Sequence, residues 1–111
     1  MIYKICPADE WAQAARQRTW AGSDLDQRDG FIHFSTAGQV AGTLARHFAG
    51  TVELVLVAVD EAGLTDLRYQ PSRDGALFPH LYGELPVSRV AWVKPLKRGP
   101  GGVFVLPQEC Q

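Results

Sequence analysis

The chain is short of cysteine, of uncompensated charge and of long apolar runs, and each shortage removes a class of protein. Two cysteines, Cys6 and Cys110, occur among 111 residues. Neither keeps metal-ligand spacing, and Cys110 stands next to the chain end, where a bridge would be loosely held, so both are expected as free thiols. A formal net charge of −1 provides no positive field to draw in nucleic acid or an acidic lipid surface, so neither DNA nor a membrane is an expected partner. The opening MIYKICPADEW has no apolar core of signal-peptide length, and no window reaches the roughly 20 apolar residues of a membrane helix. A cytoplasmic location is the resulting expectation. Metal sites are equally under-supplied. His33, His47 and His80 show no HxH or HExxH spacing, and Asp24, Asp26 and Asp29 miss the alternating pattern of a calcium loop, with Ser35 where its bidentate glutamate belongs.

What the chain does have is enough apolar material for one core, with 46% hydrophobic and 21% charged residues over a length typical of a single domain. Residues 1–111 are read as one domain. Alternation marks a strand over residues 1–6, and Pro7 with Asp9 signals a helix whose buried face would carry Trp11, Ala14 and Ala15. Residues 19–30 are polar, glycine-bearing and aperiodic, which reads as a loop. Residues 31–35 form a short strand. Thr36 with Gln39 makes a capping-box pattern opening a helix with Val40, Leu44 and Phe48 on its apolar stripe, ended by Gly50. Residues 53–59 (ELVLVAV) are apolar on both faces, as in a central strand. After the turn at residues 60–63, the segments 67–70, 77–82, 87–93 and 103–106 are rich in β-formers, and RGPGG at 98–102 predicts a hairpin pairing the closing VFVL with VAWVK. Two main helices early and strands late specify an α+β fold with a mostly antiparallel sheet.

Two segments stand out, GFIHFST at 30–36 and PSRDGALFPHLYG at 71–83, because each sets a histidine inside an apolar run. An imidazole titrates near neutral pH and is costly to bury unpaired, so both need a local reason. Alternation puts Phe31, His33 and Ser35 on one strand face, and Phe78, His80 and Tyr82 on one face of the other, while Pro79 implies an edge or bulged position. The N–H groups of residues 37–39 at the helix start would suit a phosphate or carboxylate, with His33, Ser35 and Thr36 close by. Arg73, in the preceding turn, could clamp the same kind of group. His47 reads as packing at the core edge. The competing structural explanations are a histidine donating to a carbonyl, Ser35 as a helix cap, Arg73 as a surface partner of Asp74 and Tyr82 as a ring packed over the sheet.

The runs DGFIHFSTAGQV and HFAG, the strand ELVLVAVD and PSRDGALFPHLYG together resemble the small bacterial family known as domain of unknown function 952, and the likeness covers nearly the whole chain. Members of that family are similar in fold to ADP-ribosyltransferases, whose NAD-binding cleft opens with a strand bearing a histidine closely followed by Ser or Thr, as His33 is by Ser35 and Thr36. The resemblance implies a split sheet with flanking helices, and a cleft between its halves for NAD as a substrate or a related nucleotide, with no covalently bound cofactor. It implies that His33 bonds a ribose hydroxyl, that Ser35 and Thr36 approach the nucleotide, and that Phe78 or Tyr82 stacks on the nicotinamide ring. Transferases of that fold commonly need a late glutamate, and here neither Glu84, in a turn, nor Glu109, in the tail, fits. A relative that moves an RNA 2′-phosphate to NAD works with histidines and arginines, which casts His33, His80 and Arg73 as the catalytic set. Three classes stay open: an NAD-dependent transferase, a non-catalytic module binding a small anion or nucleotide, and a structural or partner-binding protein.

Overall fold

The computed structural model describes residues 1–48, 53–72 and 75–110. Its first strand, β1 (Ile2–Pro7), runs into helix α1 (Ala8–Gln17), and β2 (Thr19–Trp20) leads through a short connection to helix α2 (Asp24–Asp29). Then come β3 (Ile32–His33), a 3-10 turn (Ala37–Gln39) continuous with helix α3 (Val40–His47), and β4 (Leu54–Val59). The remaining strands are β5 (Leu67–Pro71), β6 (Leu77–Leu81), β7 (Leu85–Pro86), β8 (Val90–Arg98) and β9 (Phe104–Val105), with short 3-10 turns at Glu61–Gly63, Val87–Arg89, Pro100–Gly102 and Gln108–Cys110. Among the described residues every strand pairing is antiparallel, in a four-stranded sheet ordered β1-β4-β8-β9, a three-stranded sheet β3-β6-β5 and a two-stranded ribbon β2-β7. The fold is α+β. Among the described residues no helix is long and apolar enough to cross a membrane.

β4 is the central strand its composition announces, because its alternating faces feed two separate apolar clusters. Val57 and Val59 join Ile2, Trp11, Phe34 and Leu81 on one side, and Leu54, Leu56 and Ala58 join Tyr3, Val40 and Leu44 on the other. A fully buried Leu or Val contributes about 1.5–3 kcal/mol, so this doubly covered strand is a main anchor of the fold. The same alternation puts Lys4 of β1 on the face shared by Ile2 and Cys6, which points an ammonium into the interior. Both cysteines are free and buried, and burial chiefly pushes the Cys6 thiol up to about 12.

Four expectations are corrected. Residues 19–30 are not one loop but β2 and α2, and α2 escapes a periodicity search because its inward residue is an acid, Asp26, rather than an aliphatic. Ala15 is exposed, leaving Trp11 and Ala14 as the buried face of α1. VAWVK pairs with β4, and β9 meets only the last two residues of β8, Lys97 and Arg98, because the turn after Arg98 is closed tightly by the Gly99 N–H donating to Val103 at 2.7 Å. Pro79 lies in the middle strand of its sheet. Its carbonyl accepts from the Phe34 N–H at 2.9 Å, so its nitrogen also faces the β3 side, past the end of β3, and the ladder to β5 loses no donor. Gly50, the expected end of the second main helix, lies outside the described residues, and α3 is already capped at Phe48.

Candidate functional site

β3 is two residues long, and it sets the site. Its pairing with β6 places His33 directly opposite His80, with ring centroids 5.5 Å apart and planes at 67°. Both rings line a cavity of about 560 Å³ whose wall also includes Lys4, Asp26, Asp29, Ser35 and Phe78. α3 closes the far side with Thr43, Arg46 and His47. His47 is exposed on that wall, which corrects its reading as a core-edge packing residue.

His33 is gripped at both nitrogens. Nδ1 lies 2.6 Å from Asp26 Oδ1 and Nε2 lies 3.0 Å from Asp29 Oδ2. A carboxylate only accepts, so both contacts are hydrogen bonds together only when each ring nitrogen carries a hydrogen. Asp26 is itself saturated, its Oδ2 accepting from Lys4 Nζ at 2.8 Å and from the Ser23 N–H at 2.9 Å, and its Oδ1 also from the His33 N–H at 3.2 Å. Burial pushes the Asp26 carboxyl up. The His33 hydrogen bond, the Lys4 charge and the Ser23 amide outweigh that and hold it well below the ordinary carboxylate range. Burial lowers Lys4, and Asp26 restores only part of the difference. Lys4 also donates to the His33 carbonyl at 2.8 Å and stands 5.4 Å from the Trp20 ring centroid. Two carboxylates face two cations, so this cluster balances its charge within itself when His33 is protonated.

His80 donates from Nδ1 as His33 does, and differs from it at Nε2. The Gln70 amide oxygen accepts from the Tyr82 hydroxyl at 2.7 Å and faces His80 Nδ1 at 2.9 Å. An oxygen must accept there too, so Nδ1 carries the hydrogen and, in the neutral ring, Nε2 keeps the lone pair. Burial first, then the His33 charge, lowers the His80 pKa, which favours that neutral ring near pH 7, although Asp29 opposes the shift. Phe31 stacks on His80 at 4.1 Å and 24° and also contacts the His33 ring at 4.6 Å, fixing both rings from outside the cavity.

Of the residues singled out in the sequence, His33, Ser35, Phe78 and His80 meet at the cavity. Ser35 is buried, with Oγ 3.0 Å from Thr43 Oγ1, and its backbone pairs with Tyr3. Thr36 does not line the cavity, and its N–H donates to Gln39 Oε1 at 3.0 Å while the Gln39 N–H is spent on the Thr36 carbonyl. Tyr82 stands behind the histidines, bonded to Gln70 and beneath the Arg68 guanidinium. Arg73 lies outside the described residues. Neither Glu84 nor Glu109 reaches the cavity, and Glu109 pairs with Lys94. Among the described residues no group of His, Cys, Asp and Glu is disposed to hold a metal.

Sequence reasoning missed Lys4, Asp26, Asp29 and Gln70. Two signals were present: a lone charge at an inward position of an apolar strand, and the S-x-x-D pattern of Ser23 and Asp26, which forms a capping box. Gln70 carries no local signal, since only the register of β5 against β6 aims it at His80.

The profile of the family described as "Protein of unknown function (DUF952)" matches residues 5–93. The chain belongs to the DUF952 family. That match spans His33, His80, both aspartates and Gln70, and begins just after Lys4. The DUF952 fold seen here is similar to the crystal structure of protein CC0527 from Caulobacter crescentus, with 43% identity, a TM-score of 0.91 and coverage of 98% of this chain and 96% of that one. A solution NMR structure of CC0527 gives 43% identity and a TM-score of 0.81 over 92% of this chain and 89% of that one. No curated protein matches the chain.

Proposed function

We propose that the cavity binds a nucleotide-like anion of the NAD or ADP-ribose class, and that His33 and His80 act on it as a proton-donating and proton-accepting pair. One observation carries this reading: two cross-strand histidines, 5.5 Å apart on one cavity wall, both turn Nδ1–H to an acceptor, Asp26 or Gln70, but differ at Nε2, which faces the Asp29 carboxylate in His33 and keeps its lone pair in a neutral His80. General acid–base chemistry needs one group that holds its proton and another that keeps its lone pair at the same pH. The cavity is within the usual size range of small-molecule sites, and Phe78 supplies an aromatic surface beside the histidines for a planar ring. Arg46 adds a positive charge to its wall, beyond the Lys4–Asp26 pair. With no glutamate on that wall among the described residues, the reading is of a transferase or phosphate-handling enzyme working through histidine, and not of a glutamate-assisted ADP-ribosyltransferase.

Thermal shift against NAD, ADP-ribose, nicotinamide and phosphate is the direct test, since a ligand that binds only the folded state must raise the melting temperature. Release of nicotinamide from NAD by the wild type, lost in His80→Gln, supports an enzyme. A saturable shift without any product supports a non-catalytic sensor, and no shift with any of the four ligands overturns both.

A further inference from the structure

The two carboxylates on His33 differ in kind. Asp26 is 1% exposed and holds Lys4 and the Ser23 amide as well as the ring, so it cannot move without uncovering a buried ammonium. Asp29 is 39% exposed and, among the described residues, its carboxylate has one hydrogen-bonding contact, His33 Nε2. It is also the last residue of α2, the helix end where an acid is electrostatically disfavoured, so helix stability does not account for it. Rotation about its side-chain bonds would free Nε2 toward the cavity that both residues line, leaving the Asp26 grip on Nδ1 intact.

On the reading that this cavity is the ligand site, we infer that Asp29 is a built-in competitor: its carboxylate holds the position on His33 Nε2 that an anionic oxygen of the ligand takes. The charge balance selects the class. Asp26 and Asp29 offset Lys4 and a protonated His33, so a group replacing Asp29 keeps the donor's charge compensated only if it is itself anionic, a phosphate or a carboxylate. A neutral hydroxyl would not. Asp29 therefore sets a threshold that admits anionic ligands and rejects neutral ones of the same shape.

Calorimetric titration of the full chain with ADP-ribose, inorganic phosphate, acetate and nicotinamide tests this. Asp29→Ala is expected to bind the anionic probes about fivefold or more tightly than wild type, because apparent affinity scales with the fraction of molecules whose Nε2 is open. Nicotinamide, which would lie on Phe78 without taking the Nε2 position, should bind both proteins alike. Phosphate and ADP-ribose gaining without acetate assigns the position to phosphate, and acetate gaining with them assigns it to any small oxyanion. Asp24→Asn removes an equal exposed charge from the same helix without touching His33, so a gain there as large as in Asp29→Ala reduces the effect to general charge and overturns the competitor. Wild-type binding of ADP-ribose that Asp29→Ala leaves unchanged or weakens overturns this inference alone. Failure of every probe to bind either protein removes the proposed function along with it. Asp29→Ser, uncharged and too short to hold Nε2, repeats the measurement should the alanine variant fold poorly.

Discussion

Lys4 and Asp26 form a closed ion pair, 2.8 Å long, with side chains 10% and 1% exposed. It joins the first strand to a helix more than twenty residues later and gives His33 a fixed partner. Few buried pairs of this kind exist for stability alone, since taking both charges from water costs about what their attraction returns.

Removing one member should therefore be expensive. Asp26→Asn leaves the Lys4 ammonium buried without its counter-charge and is expected to destabilise the fold by about 3–5 kcal/mol in urea denaturation. A loss under about 1 kcal/mol would mean that water reaches the pair and that the cluster is not closed.

The same group sets an acid limit. The Asp26 carboxyl has a folded-state pKa depressed below its unfolded value, so its contribution is fully present above about pH 4 and is lost as pH falls through the folded-state value. Stability measured from pH 5 downward should fall in wild type, and that part of the slope should vanish in Asp26→Asn. An identical slope in the two proteins contradicts the assignment.

His80 predicts a second, milder dependence. Its folded-state pKa is lowered from about 6.5, so the unfolded chain takes up its proton first and stability declines as pH drops below about 6.5. Melting temperatures between pH 5 and 8 should show the decline in wild type and a flatter profile in His80→Phe. Nitrogen-15 NMR at pH 7.5 should find the His80 hydrogen on Nδ1, with the preference lost in Gln70→Leu. An Nε2–H tautomer in wild type would reverse the donor and acceptor roles.

Gly22 guards the acid from behind. Its φ is +97°, and a Cβ there would lie 2.6 Å from Asp26 Cβ and 3.0 Å from Oδ2. Gly22→Ala combines backbone strain with a clash, and a loss of about 2 kcal/mol or more is expected by urea denaturation. The exposed Gly38→Ala has open space and no positive φ, and serves as the near-neutral comparison.

Much was legible from local pattern alone. β1, β4 and the apolar stripe of α3 are recorded in short-range periodicity, and the two histidine segments are conspicuous because an imidazole among aliphatics breaks the pattern it sits in. α2 was not legible, because helices are recognised by an apolar stripe, and this one turns a carboxylate inward and covers it with a lysine from another strand.

The fold class, the doubly covered central strand and the two stretches that carry the histidines all follow from which neighbours a residue has along the chain. Folding in three dimensions is what sets His33 opposite His80, turns each Nδ1–H to its own acceptor, Asp26 or Gln70, and places Asp29 on the Nε2 of His33. The physical reason is that a strand shifted by one residue turns every side chain to the other face. Which donor meets which acceptor is therefore settled by pairings across dozens of residues, and no local window contains them.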